Sequence, residues 1–305
     1  MANSEEENKT FAAAVERSKK IEEDIVKNPK KYRVLTGDRP TGRLHIGHYF
    51  GSLQNRVRLS KMGVPTMVLI ADYQVLTDHD AYSEISQNTK QLVIDYLAAG
   101  IEPGENVIIY PHSYIPEANQ LMVPFLTLIS NAELSRNPTV KEEIQAAGIT
   151  NVNAGMYTYP VHQAVDILFC KGTVVPAGKD QLPHIEMART IASRFNKKFC
   201  TDSGKEPIFP LPQVLLSKTP SIMGLDGTQK MSKSRGNIVE PFSTIKEYGA
   251  DTVRFYLPYV SPVWTPLKFD IEGLKEVYSK FFNPLKNTYS FFQMYANIEK
   301  KNKCF

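Results

Sequence analysis

Two histidines and a glycine in one short turn are the first residues of this chain whose types and spacing suit chemistry. His45, Gly47 and His48 stand in the sequence His-Ile-Gly-His, after a β-prone run at 32–35 and before apolar residues at helical spacing in 49–62. A strand, a turn and a helix start in this order would direct unpaired N–H groups at an anion such as a phosphate. The histidines share a helical face and can donate to phosphate oxygens, while Gly47 leaves room for a flat base. A structural histidine pair is the alternative.

Three cations within six residues form a second candidate far downstream. Lys230, Lys233 and Arg235 lie in the sequence Lys-Met-Ser-Lys-Ser-Arg, directly after turn-rich residues 225–229. This composition predicts a mobile loop. A basic loop suits a triphosphate whose charge shifts during a reaction, although a solvated basic loop is the alternative interpretation.

Composition narrows the class of protein. The 305 residues can form one large α/β domain with a smaller appendage, and the 42% apolar content is ordinary for a soluble protein. No run of eighteen apolar residues and no secretory or transit sequence is present, so we expect a cytoplasmic protein without a membrane span. Cys170, Cys200 and Cys304 are scattered, which fits a reducing compartment and predicts no metal site in the protein. The net charge of +4 permits a nucleic-acid partner without requiring one.

Strand and helix patterns alternate through the middle of the chain. An amphipathic helix at 10–26, ended by Asn28-Pro29, comes first. The predicted strands then lie at 66–71, 106–110 and 174–177, and the predicted helices at 82–99, 117–131, 157–169 and 180–195. This order predicts an α/β fold with a doubly wound parallel sheet, in which ligands bind at the carboxyl ends of the strands. The His-Ile-Gly-His turn would lie at that edge.

Together, His-Ile-Gly-His and Lys-Met-Ser-Lys-Ser resemble the two motifs of class I aminoacyl-tRNA synthetases. From about residue 32 to 225 the chain further resembles bacterial-type tryptophanyl-tRNA synthetases, in the segments 36–42, 71–74, 136–141, 159–167 and 178–181. The resemblance implies a Rossmann-like catalytic domain that activates tryptophan with ATP to tryptophanyl-adenylate and pyrophosphate, then transfers it to tRNA(Trp). It also implies a homodimer, and Mg²⁺ bound mainly on the ATP phosphates. Lys179 and His162 depart from the residues common in that family.

The resemblance assigns roles to individual residues. The residues implied to be catalytic are His45, His48, Lys230 and Lys233. The residues implied to bind ATP are Arg39, Thr41, Gly47, His48, Gly178, Asp180, Lys230, Met231, Ser232, Lys233 and Ser234. The residues implied to bind tryptophan are Tyr159, Gln163, Asp166, Val174, Ala177 and Gln181.

Asp166 is the residue implied to select tryptophan, by accepting the indole N–H. A carboxylate at the base of an apolar pocket is a strong acceptor, and a substrate without a donor would leave it desolvated and unpaired. A helix-surface carboxylate is the alternative, although the apolar residues 167–169 favour burial. Tyr159 lies two helical turns earlier on the same face and, with Gln181, is implied to bind the α-amino group. Val174 and Ala177 are implied to line the indole pocket.

The sequence changes character near residue 230. Segments 237–242, 248–257 and 261–264 resemble isoleucyl-tRNA synthetases, in which this region leads into a helical anticodon-binding bundle. We expect residues up to 305 to contain only the first helices of such a bundle. Their apolar stripe contains Val277, Phe281, Leu285, Tyr289 and Phe292, with a bend expected at Pro284, and we expect it to pack on the core or on a second chain.

Four parts are therefore predicted. They are an N-terminal helical extension at 1–30, a catalytic domain at 31–229, a basic loop with connecting helices at 230–258, and an incomplete α-helical tail at 259–305. The alternative functions are a paralogue that activates an amino acid without charging tRNA, a non-catalytic binding protein, and a specificity for tyrosine or isoleucine. Isoleucine has no donor for Asp166, and intact His45, His48, Lys230 and Lys233 argue against a binding protein.

Overall fold

The computed structural model describes residues 2–44, 48–77, 82–146, 152–216, 241–260 and 270–302. The chain divides into two compact units, Met1–Pro220 and Ser221–Phe305. His45, Gly47 and the whole basic loop at 230–234 lie outside the described residues. None of the described helices combines the length and the apolar character that a membrane span requires.

A five-stranded parallel sheet forms the centre of the first unit. Its strands are β1 (Val34–Asp38), β2 (Thr66–Ile70), β3 (Val107–Pro111), β4 (Val174–Ala177) and β5 (Gln213–Leu216), in the spatial order β3-β2-β1-β4-β5. The chain moves outward from β1 to β3, then crosses back to place β4 on the other side of β1. The order therefore reverses between β1 and β4, where doubly wound sheets bind their ligands. The predicted fold class is confirmed.

Helices flank this sheet. In the described part of the first unit they are α1 (Ala2–Lys27), α2 (Gln54–Lys61), α3 (Ile85–Ala98), α4 (Met122–Leu126), α5 (Asn131–Ser135), α6 (Pro138–Ala146), α7 (Ala154–Phe169) and α8 (Leu182–Phe195). A π-helical turn at Tyr49–Leu53 precedes α2. The single helix predicted at 117–131 is wrong, because a 3₁₀ segment at Pro116–Leu121 precedes the short α4 and Ser130 then caps a new helix.

The N-terminal helix packs against the sheet through one face. Ala14, Ile21 and Ile25 of α1 are buried, the last two with Val34 of β1. Ser18 is buried as well, and its Oγ donates to the Val214 carbonyl at 3.3 Å and accepts from the Leu216 N–H at 3.1 Å. The hydroxyl therefore joins α1 directly to the backbone of β5.

Gly37 allows β1 and β2 to approach closely near their carboxyl ends. A Cβ added to Gly37 would lie 2.2 Å from the carbonyl oxygen of Leu69, a distance that no side chain can adopt. The two strands pair in parallel along their whole length, from Val34 opposite Thr66 to Asp38 opposite Ile70. The glycine thus sets the position of Asp38 at the edge of the sheet.

The second unit is helical in its described part. It contains α9 (Pro241–Tyr248), α10 (Ala250–Val260), α11 (Ile271–Val277) and α12 (Asn283–Asn302), with a π-helical turn at Tyr278–Phe282 before α12. Tyr256, Leu274 and Val277 form its buried cluster. The other residues of the predicted apolar stripe, Phe281, Leu285, Tyr289 and Phe292, are 46–66% exposed. The packing of this stripe on the core or on a second chain stays a prediction.

Candidate nucleotide and amino-acid site

Three polar side chains and a glycine lie where the parallel strands end. Asp38 is the last residue of β1, Asp72 follows β2, His112 follows β3 and Gly178 follows β4. Parallel strands place their carboxyl ends at one edge of a sheet, so these residues share that edge. The switch in strand order lies among them, between β1 and β4.

A buried ion pair fixes the end of β1. Both oxygens of Asp38 accept from the guanidinium of Arg56, with Nη2 at 3.0 Å from Oδ1, and the Tyr96 hydroxyl donates to Oδ2 at 2.8 Å. Burial alone would raise the pKa of Asp38, but the charge and hydrogen bonds of Arg56 outweigh it and the pKa is lowered. The sequence pattern did not single out this cluster. The hydrogen bonds of Asp38 with Arg56 and Tyr96 fix the position at which the turn after β1 begins.

The loop that leaves β1 carries Arg39 and Thr41. The Leu44 N–H donates to Asp95 Oδ2 at 2.9 Å, and Gln91 donates to the other oxygen of Asp95 at 2.9 Å. Helix α3 therefore holds the far end of the loop, while Thr41 stays exposed. His48 follows this loop, is half-buried, and acts electrostatically on Asp38 to lower its pKa. The structure thus brings Arg39, Thr41 and His48 to the region beyond β1.

Asp166 lies inside the protein on α7. It is 5% exposed and accepts from Nε2 of His112 at 2.9 Å. Nδ1 of the same ring lies 3.6 Å from Oδ1 of Asp72, which also accepts the backbone N–H groups of Tyr73 and Ser113 at 3.0 and 3.3 Å. The helix-surface interpretation of Asp166 is wrong. The Asp166 carboxylate instead holds the ring of His112 by a hydrogen bond, while Asp72 lies beside Nδ1 at a distance too long for one.

Aromatic rings form a wall beside this carboxylate. Tyr73 stacks on His112 with ring centroids 5.6 Å apart, and His162 meets His112 edge-on at 4.7 Å. Nε2 of His162 lies 3.0 Å from Oδ1 of Asn119, and burial lowers the pKa of His162. Residue 162 departs from the family pattern, and the structure places it directly at the predicted amino-acid pocket.

Three of these residues could hold a metal ion. Within the described part of the chain, ligand atoms of His112, His162 and Asp166 lie within 4.8 Å of one another. The hydrogen bonds from His112 to Asp166 and between His162 and Asn119 engage the Nε2 atoms of both rings. These bonds account for the cluster, so we assign no metal to it.

A chain of amides links the two predicted binding regions. Gln163 on α7 donates to Oε1 of Gln181 at 3.1 Å, and Gln181 donates to Oδ2 of Asp180 at 3.1 Å. Both glutamines were predicted to bind tryptophan and Asp180 to bind ATP, and the structure places the three side chains in contact. Gly178 precedes them directly after β4.

Val174 does not belong to this site, which corrects one predicted position. Its side chain is 1% exposed and packs with Ile21 and Val34. Ala177 instead packs on the cluster that contains Val165 and Val175. Successive side chains of a strand alternate between faces, so residues 174 and 177 point to opposite sides of the sheet and cannot line one pocket. Val175 shares the face of Ala177.

Sequence reasoning missed several residues around Tyr159. Asn137 and His184 are buried and lie in contact, and both Glu143 and His184 contact the Tyr159 hydroxyl. The sequence did carry one signal, since Asn-Pro-Thr at 137–139 is a typical helix start with an N-cap and a proline at the first helical position.

Comparison with known proteins identifies the family. The sequence model described as tRNA synthetases class I (W and Y) matches residues 27–248, which is most of the chain. This protein belongs to that family. The resemblance inferred from the motifs is thereby confirmed.

Several members of the family are close relatives of this synthetase chain. A tryptophan–tRNA ligase of Clostridium longisporum is 46% identical over 209 residues, which are 68% of this chain and 60% of that protein. One of Treponema pallidum is 40% identical over 262 residues, or 83% of this chain and 73% of the relative. The crystal structure of Campylobacter jejuni tryptophanyl-tRNA synthetase complexed with ADP and tryptophan superposes with a TM-score of 0.63 at 28% identity, covering 82% of this chain and 79% of that one. The chain spans less than two thirds of the length of the Clostridium relative.

A second family model covers the region where the sequence changes character. The model described as tRNA synthetases class I (M) matches residues 211–290 and overlaps the end of the first match. This finding extends the class I relationship into the helical unit. The particular resemblance to isoleucyl enzymes stays a prediction.

Proposed function

We propose that this chain is the catalytic part of a tryptophan–tRNA ligase. It would activate L-tryptophan with ATP to tryptophanyl-adenylate and pyrophosphate, then transfer tryptophan to tRNA(Trp). One observation carries the proposal, in a chain whose relatives are named tryptophan–tRNA ligases: the buried carboxylate of Asp166, which His112 holds at 2.9 Å. This buried acceptor suits the single N–H of an indole ring.

Selection of tryptophan would rest on the hydrogen bonds of Asp166. A carboxylate offers about four acceptor positions, so Asp166 can accept the indole N–H while His112 holds its orientation. An amino acid without a side-chain donor would desolvate this carboxylate and give it no new hydrogen bond, which is strongly unfavourable. Ala177 and the rings of Tyr73 and His162 would supply the surrounding pocket.

The α-amino group would lie near Tyr159 and Gln181. Gln163 donates to Gln181 at 3.1 Å and so orients its amide. Tyr159 lies two helical turns before Asp166 on α7, which gives the two ends of the substrate separate contacts on one rigid element. The helix thus fixes both ends of the amino acid relative to each other.

Activation requires the alignment of two anions that repel each other, the tryptophan carboxylate and the α-phosphate of ATP. Arg39, Thr41 and His48 beyond β1 would face Gly178 and Asp180 beyond β4 across the switch point, where a nucleotide can bind. His45, Gly47 and the basic loop with Lys230, Met231, Ser232, Lys233 and Ser234 complete the proposed ATP contacts and would stabilise the charge that develops on pyrophosphate. Mg²⁺ would enter with its ATP substrate.

Transfer of tryptophan to tRNA is the second step of the proposal. Acceptor-end contacts would provide most of the recognition by this chain, with the net charge of +4 favouring approach of the nucleic acid. A homodimer and a reducing, cytoplasmic compartment complete the proposal. The homodimer follows from the family resemblance, and the compartment from the scattered cysteines and the sequence pattern at the N-terminus.

ATP–pyrophosphate exchange tests the activation step. Purified protein is assayed with tryptophan, tyrosine and isoleucine in parallel, and we expect exchange with tryptophan alone. Asp166→Asn should lower kcat/KM for tryptophan by roughly tenfold or more, because it removes a charge-assisted acceptor of the substrate. Asp202→Asn, at an exposed position of the first unit, is the matched control and should leave exchange unchanged. Exchange with none of the three amino acids, in protein shown to be folded, would overturn the proposal.

A further inference from the structure

Tyr159 contacts two side chains to which the proposed function gives no role. Its hydroxyl donates to Oε2 of Glu143 at 2.7 Å, and its oxygen lies 3.2 Å from Nε2 of His184. The phenol has one hydrogen, and the bond to the Glu143 carboxylate uses it. The hydrogen between Tyr159 and His184 must therefore come from the imidazole. His184 carries its proton on Nε2.

Asn137 fixes the other side of the same ring. Its Oδ1 accepts the backbone N–H groups of Thr139 at 3.1 Å and Val140 at 3.5 Å, as an N-cap of α6 does. This requirement turns the amide nitrogen of Asn137 towards His184, with Nδ2 3.3 Å from Nδ1. An amide nitrogen only donates, so Nδ1 of His184 must be the acceptor. The N-cap role of Asn137 and the hydrogen bond of Tyr159 to Glu143 therefore both require the same tautomer of His184, with the proton on Nε2.

The hydrogen bonds among these four described residues run in one direction. They run from the Asn137 amide to Nδ1 of His184, from Nε2 of His184 to the Tyr159 oxygen, and from the Tyr159 hydroxyl to Glu143. His184 is 1% exposed and Asn137 is 5% exposed, so water does not compete for the bond between these two side chains. Burial also keeps the ring neutral, since it lowers the pKa of His184 to about 4, against a weaker opposing effect of Asp180.

We infer that His184 is a positioning residue: by donating from Nε2 to the oxygen of Tyr159 it keeps the phenol hydrogen on Glu143, and so holds in one orientation the hydroxyl that contacts the substrate ammonium group. The inference rests on the proposed function, in which Tyr159 contacts the α-amino group. An ammonium group has three donors and no acceptor, so a hydroxyl that presents its hydrogen would repel it. In the opposite tautomer, the Tyr159 hydrogen would turn to Nε2 and Glu143 would face a bare oxygen. The observed direction gives the Glu143 carboxylate its donor and leaves the Tyr159 oxygen with no hydrogen directed at the substrate.

Two amide substitutions separate this role from simple packing. Gln at position 184 places an NH₂ group near the position of Nε2 and can still donate to Tyr159, whereas Asn places its amide near Nδ1 and cannot reach Tyr159. We expect His184→Asn to raise the KM for tryptophan in pyrophosphate exchange by about tenfold, the loss of one charge-assisted contact, and to leave the KM for ATP within twofold. His184→Gln should stay within threefold of the unsubstituted protein. Equal KM values for tryptophan in the two variants would overturn the inference.

An inhibitor without the ammonium group supplies the internal control. Indole-3-propionate keeps the indole ring and the carboxylate of tryptophan but has no α-amino group. Its inhibition constant should be the same in His184→Asn and in the unsubstituted protein, within twofold. A parallel tenfold loss for this inhibitor would mean that the substitution damages the whole pocket, and the positioning role would be rejected.

Nitrogen NMR of the unsubstituted protein tests the tautomer without any assay of activity. The protein is labelled with ¹⁵N in its imidazole rings and measured at pH 7, and the signals that are missing in His184→Gln are assigned to His184. These signals should show a proton on Nε2 and none on Nδ1. A proton on Nδ1, or on both nitrogens, would overturn the inference even if tryptophan is activated. The expected tautomer together with no exchange for any amino acid would instead count against the proposed function and leave the direction of the hydrogen bonds established.

Discussion

Two of the buried polar clusters in the described part of the first unit handle charge in opposite ways. Asp38 remains ionised because Arg56 supplies a full opposite charge and two hydrogen bonds. His184 remains neutral because burial lowers its pKa and its partners, an amide and a phenol, supply no opposite charge to offset that effect. The comparison teaches that a buried side chain keeps its charge where a partner of opposite charge contacts it and loses it where none does. The Asp38 cluster is suited to fixing the end of β1, and the His184 cluster is suited to fixing the direction of a hydrogen bond.

The largest expected effect comes from breaking the charged cluster. Arg56→Met would leave the Asp38 carboxylate buried with Tyr96 as its remaining hydrogen-bonded side chain among the described residues, which costs about 3–5 kcal/mol of the free energy of unfolding. Urea unfolding followed by circular dichroism measures it. Arg254→Met is the matched control, because the ion pair of Arg254 with Asp251 is at least three-quarters exposed and should change stability by less than about 1 kcal/mol. Similar losses in both variants would show that Asp38 is not held as described.

The neutral cluster predicts a loss of stability in mild acid. The pKa of His184 is about 4 in the folded protein against 6.5 as its ordinary value, so between these pH values the unfolded chain binds the proton and the folded chain does not. Stability therefore falls as pH drops from 6.5 to 4, by up to about 3 kcal/mol for this group.

His184→Gln removes that dependence and serves as the comparison. The difference in unfolding free energy between the two proteins, measured by urea titration at pH 7, 5.5 and 4, should shrink as the pH falls. His162, whose pKa is also lowered, is present in both proteins and cancels. Asp38 affects stability only at lower pH. Its pKa in the folded protein is below its ordinary value of 3.8, so the stability that it contributes is lost only as the pH falls below that value and the carboxylate is protonated. A constant difference across pH 4–7 would contradict a neutral, buried His184.

The smallest expected effect separates the sheet core from the site. Val174→Ala should lower the free energy of unfolding by about 2 kcal/mol, since its buried side chain packs with Ile21 and Val34, and should leave the KM for tryptophan within twofold. Exchange kinetics and urea unfolding of the same preparation measure both. A rise in KM with no change in stability would restore Val174 to the indole pocket.

The sequence predicted the parts of the fold that depend on strong periodicity. Strand 174–177 and the helices around α3, α7 and α8 were located to within a few residues, and the order of elements was enough to predict a doubly wound sheet. The 117–131 region failed because a broad apolar pattern does not show where a chain changes from a 3₁₀ turn to a helix and caps a new one at Ser130. Short β5 gave too few residues for its pattern to stand out.

The candidate site was predictable only where a motif named the residue. Gln163, Gln181 and Asp180 came from matched strings, and the structure places them in contact. Arg56 and His184 have partners 18 and 47 positions away in the chain, so no local sequence pattern predicts these contacts. Val174 was assigned to the pocket wrongly because the resemblance was applied without considering that successive side chains of a strand point to opposite faces of the sheet.

The Ser18 hydroxyl has a consequence for self-association. Among the described strands β5 lies at the end of the sheet, and an end strand offers its backbone to any extended segment that meets it. Ser18 already occupies the carbonyl of Val214 and the N–H of Leu216, an acceptor and a donor through which another strand could pair with β5. Helix α1 therefore acts as a cover over β5, and it makes this end of the sheet a poor template for fibrous growth.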